Sequence, residues 1–166
     1  MRVALAIAIP LAAALLQSAV VPFISVEGAR PNLPLLVAGS WSLAAGATEA
    51  VWWAFVGGLA ADLLSGGPLG AFAVASLPPV AAIGLGERPA PRPIPILLGV
   101  SFLTAAAFVA GVLYAFALSV AGTPVPDLAG LAIQIGGGAI FTGALGIATY
   151  PIARWLSRST LKQASF

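Results

Sequence analysis

The chain has 166 residues, of which 60% are hydrophobic and 7% are charged. Soluble domains carry about 25% charged residues, so this composition excludes a soluble globular protein and indicates one polytopic membrane domain over residues 1–166. Cysteine and histidine are absent, which excludes disulfides, thiolate or imidazole metal sites and the commonest catalytic base.

Breaker and charged residues divide the chain into six apolar segments. These cover residues 3–26, 33–46, 50–64, 69–85, 94–121 and 128–155. A spanning helix needs about 20 residues, so the first, fifth and sixth segments are long enough. The first also exceeds the apolar core of a signal peptide, which favours an uncleaved span. The second and third are short, and the second, opening with Pro31-Asn32-Leu33-Pro34, is predicted to be distorted.

Proline and glycine predict where the helices bend and end. Pro10 is predicted to kink the first segment, and Pro78-Pro79 to break or bend the fourth. The string Ser65-Gly66-Gly67-Pro68 predicts a tight turn between the third and fourth segments. Residues 87–95 and 123–127 are rich in proline and are predicted to be loops, with Asp127 favourably placed at the start of the next helix.

The cations orient the segments. Six spans with a cytoplasmic N-terminus place six of the seven cations on the cytoplasmic side: Arg2, Arg88, Arg92, Arg154, Arg158 and Lys162. Arg30 alone is then outside. Because cytoplasmic loops are enriched in Lys and Arg, the pattern predicts a multi-pass membrane protein with both termini in the cytoplasm.

Small residues recur every four positions in the last two segments. One row is Ala107, Gly111, Ala115 and Ser119, and the other is Gly130, Gln134, Gly138, Thr142 and Gly146. Small residues let membrane helices approach closely, so the two segments are predicted to pack together. Gln134 is predicted to form a hydrogen bond between the helices.

Asp62 is the ionisable residue set deepest in an apolar segment. It shares a helix face with Gly58, Ser65 and Gly66. One interpretation is a structural lock on the following turn. The other is an outward-facing groove between segments two, three and four that binds a partner helix or a small ligand. The predicted groove residues are Asn32, Gly58, Asp62, Ser65, Gly66, Pro68 and Gly70. Asp62 is expected to accept hydrogen bonds from the Asn32 region or from the backbone of residues 65–67.

Catalysis is not expected from these residues. A serine protease needs a histidine base, an aspartyl protease needs a second acid beside Asp62, and a zinc enzyme needs His or Cys ligands. Glu27, Glu49 and Asp127 lie at loops or helix ends on different sides. The sequence therefore predicts a protein that is not an enzyme and that has no cofactor and no metal.

Three strings in the N-terminal half carry a family resemblance. They are Gly57-Gly58-Leu59 followed by Asp62-Leu63-Leu64-Ser65-Gly66 and Pro68-Leu69-Gly70, then Leu16-Gln17-Ser18, and Pro31-Asn32-Leu33. Together they resemble the signature of the rod shape-determining protein MreD family over residues 16–70. The chain departs from that pattern in its proline-rich stretch from Pro78 to Pro95, which leaves the path of segment four open.

The resemblance implies a non-enzymatic membrane component of the bacterial cell-elongation complex, which shapes the rod and synthesises peptidoglycan. It implies the bacterial cytoplasmic membrane as location and an MreC-like bitopic protein as partner. Further neighbours would be a RodA-type polymerase, a penicillin-binding transpeptidase and MreB filaments, within the lipid bilayer and without nucleic acid. The implied fold is an all-α, six-helix transmembrane bundle similar to the substrate-binding subunits of energy-coupling-factor importers.

That similarity supplies the alternative function, a substrate-binding subunit of a vitamin importer. Such a subunit would have polar side chains around an outward-facing pocket, and a small-residue face on its first helix, such as Ala4, Ala8 and Ala12, would meet a coupling protein. A proton or ion carrier using Asp62 is disfavoured, because the spans contain no second titratable group for a relay.

Overall fold

Helices form the regular secondary structure in a computed structural model that describes residues 2–26, 28–85, 94–123 and 127–162. Their bounds are α1 Arg2–Ala19, α2 Leu33–Ala45, α3 Ala47–Ser65, α4 Ala71–Gly84, α5 Ile96–Val120, α6 Leu128–Ala132 and α7 Gly138–Lys162. A 3₁₀ turn, Val21–Phe23, follows α1, and a π-helical segment, Ile133–Gly137, joins α6 to α7 without interruption. The all-helical prediction is confirmed for these residues, where the one β feature is an isolated bridge between Val26 and Ala29.

Three helical stretches in the described residues are long and apolar enough to cross a membrane. They are Ala4–Phe23, Ile96–Val120 and Ala129–Arg158. Helices α2 and α4 are apolar but shorter. The 13 residues of α2 reach about 20 Å at about 1.5 Å per residue, against a hydrocarbon thickness of about 30 Å. The six-span topology therefore stays a prediction.

Helix α2 lies at the centre of the bundle. It contacts α1, α3, α4, α5 and α7. Its residues Leu35 and Trp41 belong to the main core cluster, in which the Trp41 ring stacks on that of Trp53 at 4.6 Å between centroids. The Trp41 indole nitrogen also donates a hydrogen bond to the Glu49 carboxylate. The third helix is thereby fastened to the second near the tight bend at Gly46.

Helices α3 and α4 form an antiparallel hairpin whose two backbones approach closely. A Cβ added at Gly58 would lie 2.5 Å from the Ala73 Cα. At Gly57, an added Cβ would lie 3.2 Å from the Cβ atoms of both Pro10 in α1 and Pro34 in α2. The two adjacent glycines therefore allow α3 to contact three helices at once.

Several loops and helix starts meet at one end of the bundle, here called the Arg30 end. It contains residues 20–26 and 28–32, the turn at residues 66–70 and the start of α6. Gly28 lies near the Gln134 side chain, and the Phe72 ring meets that of Tyr114 edge-on at 5.6 Å. At the opposite end, the Tyr150 hydroxyl donates to the Ile94 carbonyl.

The structure contradicts the distortion expected in segment two and the break expected in segment four, whereas a bend in segment four stays a prediction. Segment two is a regular helix, since Pro34 lies in its first turn, where a missing N–H leaves no hydrogen bond unmade. Helix α4 contains Pro78 and Pro79 without ending there. It is held to α2 at this point, because the Ser42 hydroxyl donates to the Val80 carbonyl at 2.8 Å. The predicted loops at 87–95 and 123–127 lie largely outside the described residues.

Helices α5 and α7 pack together, but only part of the predicted glycine row faces α5. An added Cβ at Gly146 would lie 2.7 Å from the Leu103 Cδ1, and one at Gly111 would lie 2.9 Å from the Ile135 Cγ2. An added Cβ at Gly138 would instead lie 2.7 Å from the Arg30 carbonyl oxygen. The row is therefore divided between the α5 interface and the loop before α2.

The remaining members of that row do not join α5 to the last helix by hydrogen bonds. The Gly130 N–H donates to the Asp127 carboxylate, which caps the start of α6. Gln134 is exposed and forms no interhelical hydrogen bond within the described part of the chain. The expectation for Gln134 is wrong because its side chain is exposed in the wall of a cavity and is not enclosed between α5 and the last helix.

Gly146→Leu should lower the free energy of unfolding by about 1–3 kcal/mol, because the added side chain must displace Leu103 in a filled interface. The matched control is Ala144→Leu, whose position on the same helix is exposed. Thermal unfolding in detergent measures both. Equal losses of stability in the two variants would contradict the close α5–α7 contact.

Candidate functional site

The Asp62 carboxylate joins the end of α3 to the start of α4. The side chain is 1% exposed. Its Oδ2 accepts a hydrogen bond from the Gly70 N–H at 3.0 Å, and its Oδ1 accepts one from the Phe72 N–H at 3.0 Å. The Ala73 N–H also donates to Oδ2, at 3.3 Å. Asp62 therefore caps a helix to which it does not belong.

The start of α4 has no unpaired backbone donor in its first turn. The first four N–H groups of a helix have no partner inside it. Here the N–H groups of Gly70, Phe72 and Ala73 donate to Asp62, and the Ala71 N–H donates to the Pro68 carbonyl at 3.2 Å. The Val74 N–H then makes the first bond within the helix, to the Gly70 carbonyl at 2.8 Å. The turn reaches this geometry through Gly66 and Gly70, whose φ values are +68° and +88°.

The donors to Asp62 differ from those that the sequence predicted. Neither the Asn32 region nor the backbone of residues 65–67 donates to the carboxylate, and the Ser65 hydroxyl donates to the Asp62 main-chain carbonyl instead. The reason is the close contact at Gly58, which brings the start of α4 beside Asp62. Because the carboxylate is buried, a partner protein cannot reach it directly.

The groove expected between segments two, three and four is a packed contact. Helices α2, α3 and α4 all touch one another, and Leu35, Trp53 and Val80 fill the space between them. The geometry therefore assigns Asp62 and its turn to fixing the hairpin.

Gln17 holds the chain that leads into α2. Its amide nitrogen donates to the Pro31 carbonyl at 3.0 Å, and its amide oxygen accepts from the Leu33 N–H at 2.8 Å. The side chain thus pairs with the backbone on both sides of Asn32, as a neighbouring strand would.

Asn32 and Thr142 complete this cap. The Asn32 side chain accepts from the Leu35 N–H at 3.0 Å, and its backbone N–H donates to the Thr142 hydroxyl oxygen at 2.9 Å. That hydroxyl donates to the Gly138 carbonyl at 2.7 Å. Three helices therefore meet at Asn32 through side-chain hydrogen bonds.

A cavity of about 430 Å³ opens beside this cap. It lies between the loop at residues 28–32, α4, α5 and the last helix. Asn32 is the one predicted groove residue in its wall. The wall also contains six members of the predicted packing rows: Ala107, Gly111, Ala115, Gln134, Gly138 and Thr142. Within the described residues, no group of three or more His, Cys, Asp or Glu side chains is placed to hold a metal.

Sequence reasoning identified Gln17 only as part of a family string and assigned Thr142 to helix packing. The Gln17 side chain pairs with the backbone of Pro31 and Leu33, which follow it by 14 and 16 positions. The contact between Thr142 and Asn32 spans 110 positions. For Gln17, the available signal was a polar side chain upstream of a helix that begins with proline in its first turn. No feature of the sequence indicated that Thr142 contacts Asn32.

Long apolar helices, together with helix starts capped by side chains from other helices, define a polytopic α-helical membrane protein. Residues 1–80 match the family model of the rod shape-determining protein MreD. The match confirms the resemblance to the MreD family over the N-terminal 80 of the 166 residues. No curated protein and no solved structure matched the chain.

The family implies a role in rod-shape determination. The matched region contains Gln17, Asn32 and Asp62, three of the four side chains that cap α2 and α4; the fourth, Thr142, lies outside it. The likeness to importer subunits stays a prediction.

Asp62→Leu should lower the stability of the protein by about 1–3 kcal/mol, because it leaves the N–H groups of the half-buried Gly70 and Phe72 and of the buried Ala73 without an acceptor. Asp62→Asn keeps one acceptor oxygen and should cost less. The control is Asp127→Ala, which removes an exposed cap that accepts one hydrogen bond, from the Gly130 N–H. Water can replace the lost acceptor at this exposed position. A loss for Asp62→Leu no larger than that for Asp127→Ala, in thermal unfolding, would argue against the cap.

Gln17→Leu should destabilise the protein by about 1–3 kcal/mol, since both the Pro31 carbonyl and the Leu33 N–H lose their partner. Gln134→Leu, at an exposed glutamine of the same end, is the control and should have little effect. Detergent-solubilised variants can be compared by their melting temperatures. Identical melting temperatures for the two variants would refute the role of Gln17.

Proposed function

We propose that this protein is a non-enzymatic membrane component of the bacterial cell-elongation complex that synthesises peptidoglycan. The observation that carries the proposal is the MreD-family match over residues 1–80. The protein lies in the bacterial cytoplasmic membrane with both termini in the cytoplasm. This orientation puts Arg154 and Arg158 inside and Arg30 outside, in keeping with the enrichment of cations in cytoplasmic loops.

Support for a non-catalytic role comes from how the polar side chains are used. Asp62, Asn32 and Gln17 are all occupied by backbone groups of helix starts. Glu49 accepts from the Trp41 indole. A chain without histidine or cysteine has few other groups that could serve as base or nucleophile.

The partner in this proposal is an MreC-like single-span protein, and α1 offers the surface for its transmembrane helix. Ala4, Ala8 and Ala12 are exposed and lie on one face, with the exposed Leu5 and Leu15 beside them. Small residues spaced by four let two membrane helices approach. Through this partner the protein would associate with a RodA-type polymerase, a penicillin-binding transpeptidase and MreB filaments.

A second candidate function is the substrate-binding subunit of a vitamin importer. The cavity of about 430 Å³ beside Asn32 favours it, since small-molecule sites are usually cavities of roughly 300–1,000 Å³. The family match favours the cell-shape role over this candidate.

Affinity purification of the tagged protein from its native membrane tests both candidates. The cell-shape role predicts recovery of a single-span protein with a large extracytoplasmic region. Recovery of an ATPase module in its place would contradict that role and support the importer subunit.

The double variant Ala8→Leu, Ala12→Leu should reduce recovery of the single-span protein roughly tenfold, because bulky side chains separate the two helices by more than van der Waals distance. The control is Ala144→Leu, Ala148→Leu, a pair with the same spacing on an exposed face of α7. Undiminished recovery with the α1 variant would show that the partner does not bind at this face of α1. The proposed function itself would still be tested by the purification of the wild-type protein.

A further inference from the structure

The cavity beside Asn32 has a polar mouth and an apolar inner part. Helix α5 runs toward the Arg30 end, so Ala110 and Ala107 lie about one and two turns deeper than Tyr114. Arg30 and Gln134 line the cavity and are exposed. The opening therefore faces the Arg30 end, and the inner wall consists mainly of small apolar side chains.

One buried polar group in this wall has no partner. The Ser76 side chain on α4 is 1% exposed, and its hydroxyl makes no hydrogen bond within the described structure. Buried hydroxyls are nearly always hydrogen-bonded, so an orphaned one at a cavity indicates a missing partner.

One backbone acceptor next to Ser76 also lacks its helical donor. The Ala75 carbonyl would normally accept from the residue three or four positions later. Those positions are Pro78 and Pro79, which have no N–H to donate. Ala75 also lines the cavity. The inner part of the cavity thus combines an orphaned hydroxyl with an acceptor that lacks its helical donor.

Among the described residues, Arg30 is the one charged side chain that lines the cavity. Arg30 forms no ion pair, and Gln134 no hydrogen bond, with any part of the chain that the structure describes. A guanidinium beside an amide matches the acceptor oxygens of a phosphate group.

We propose that this cavity binds the headgroup and glycerol backbone of an anionic phospholipid. The phosphate lies at Arg30 and Gln134, and a glycerol ester oxygen accepts a hydrogen bond from the Ser76 hydroxyl. The first carbons of an acyl chain contact Ala107 and Ala110. A soluble phosphate ester would satisfy Arg30 but would leave these apolar side chains without a contact.

Native mass spectrometry of the purified full chain tests this proposal, because the bound molecule is identified by its mass. The protein is supplied with phosphatidylglycerol, phosphatidylcholine or glycerol 3-phosphate in separate samples. We expect one phosphatidylglycerol retained per chain. Arg30→Gln should reduce retention roughly tenfold, the loss of one charge-assisted interaction, whereas Arg158→Gln, at an exposed cation of the opposite end, should not.

Two further variants separate binding from folding. Ala115→Phe places a ring in the cavity and should abolish retention, while Ala105→Phe, exposed on the same helix, should not. Ser76→Ala should lower retention while raising the melting temperature of lipid-free protein, since it removes an orphaned hydroxyl. Equal retention in Arg30→Gln and Arg158→Gln would overturn the proposal. Retention of glycerol 3-phosphate as strong as that of phosphatidylglycerol would overturn the lipid as the source.

Discussion

The fold depends on satisfying backbone N–H groups at two helix starts that are surrounded by apolar side chains. Lipid offers these amides no acceptor, and a buried amide without a partner is costly. The acceptors must therefore come from the protein itself. At α4 the acceptor is the carboxylate of Asp62 from α3. At α2 the acceptors are Gln17 from α1, Asn32 itself, and Thr142 from the last helix.

These caps also determine how the helices are arranged. A side chain that caps another helix must lie within 3 Å or so of its first turn, so each cap fixes the distance and angle between two helices. Gly57 and Gly58 remove the side chains that would prevent this approach. Apart from Thr142, the capping side chains and the two glycines lie within residues 1–80, the part that matches MreD. The family resemblance is therefore a resemblance of the elements that build this end of the bundle.

The proposed functions use surfaces that the caps leave accessible. Asp62 is buried, and its carboxylate accepts hydrogen bonds from the start of α4. It therefore fixes the hairpin of α3 and α4 and is not accessible to a partner. Gln17 belongs to α1, lines the cavity at the Arg30 end and holds the chain at Pro31. A partner on α1 and a lipid in the cavity would thus both stabilise the same arrangement of the loop before α2.

Much of this could be predicted from composition and breakers. The apolar segments, the turn after Ser65, the capping position of Asp127 and the importance of Gly58 and Asp62 follow from local chemistry. What failed depended on tertiary contacts. The donors to Asp62 come from residues 8 to 11 positions later, placed there by the hairpin, and Thr142 meets Asn32 across 110 positions. A row of small residues predicts close approach but cannot specify which neighbour approaches, and so Gly138 was assigned to α5 instead of the Arg30 carbonyl.

Amide hydrogen exchange across residues 66–74 tests the central claim most directly. First-turn amides of a helix exchange quickly unless an acceptor outside the helix holds them. If Asp62 caps α4, the amides of Gly70, Phe72 and Ala73 exchange as slowly as those in the middle of α4, and far more slowly than that of the exposed Gly66. Exchange of Phe72 and Ala73 at the rate of Gly66 would contradict the account.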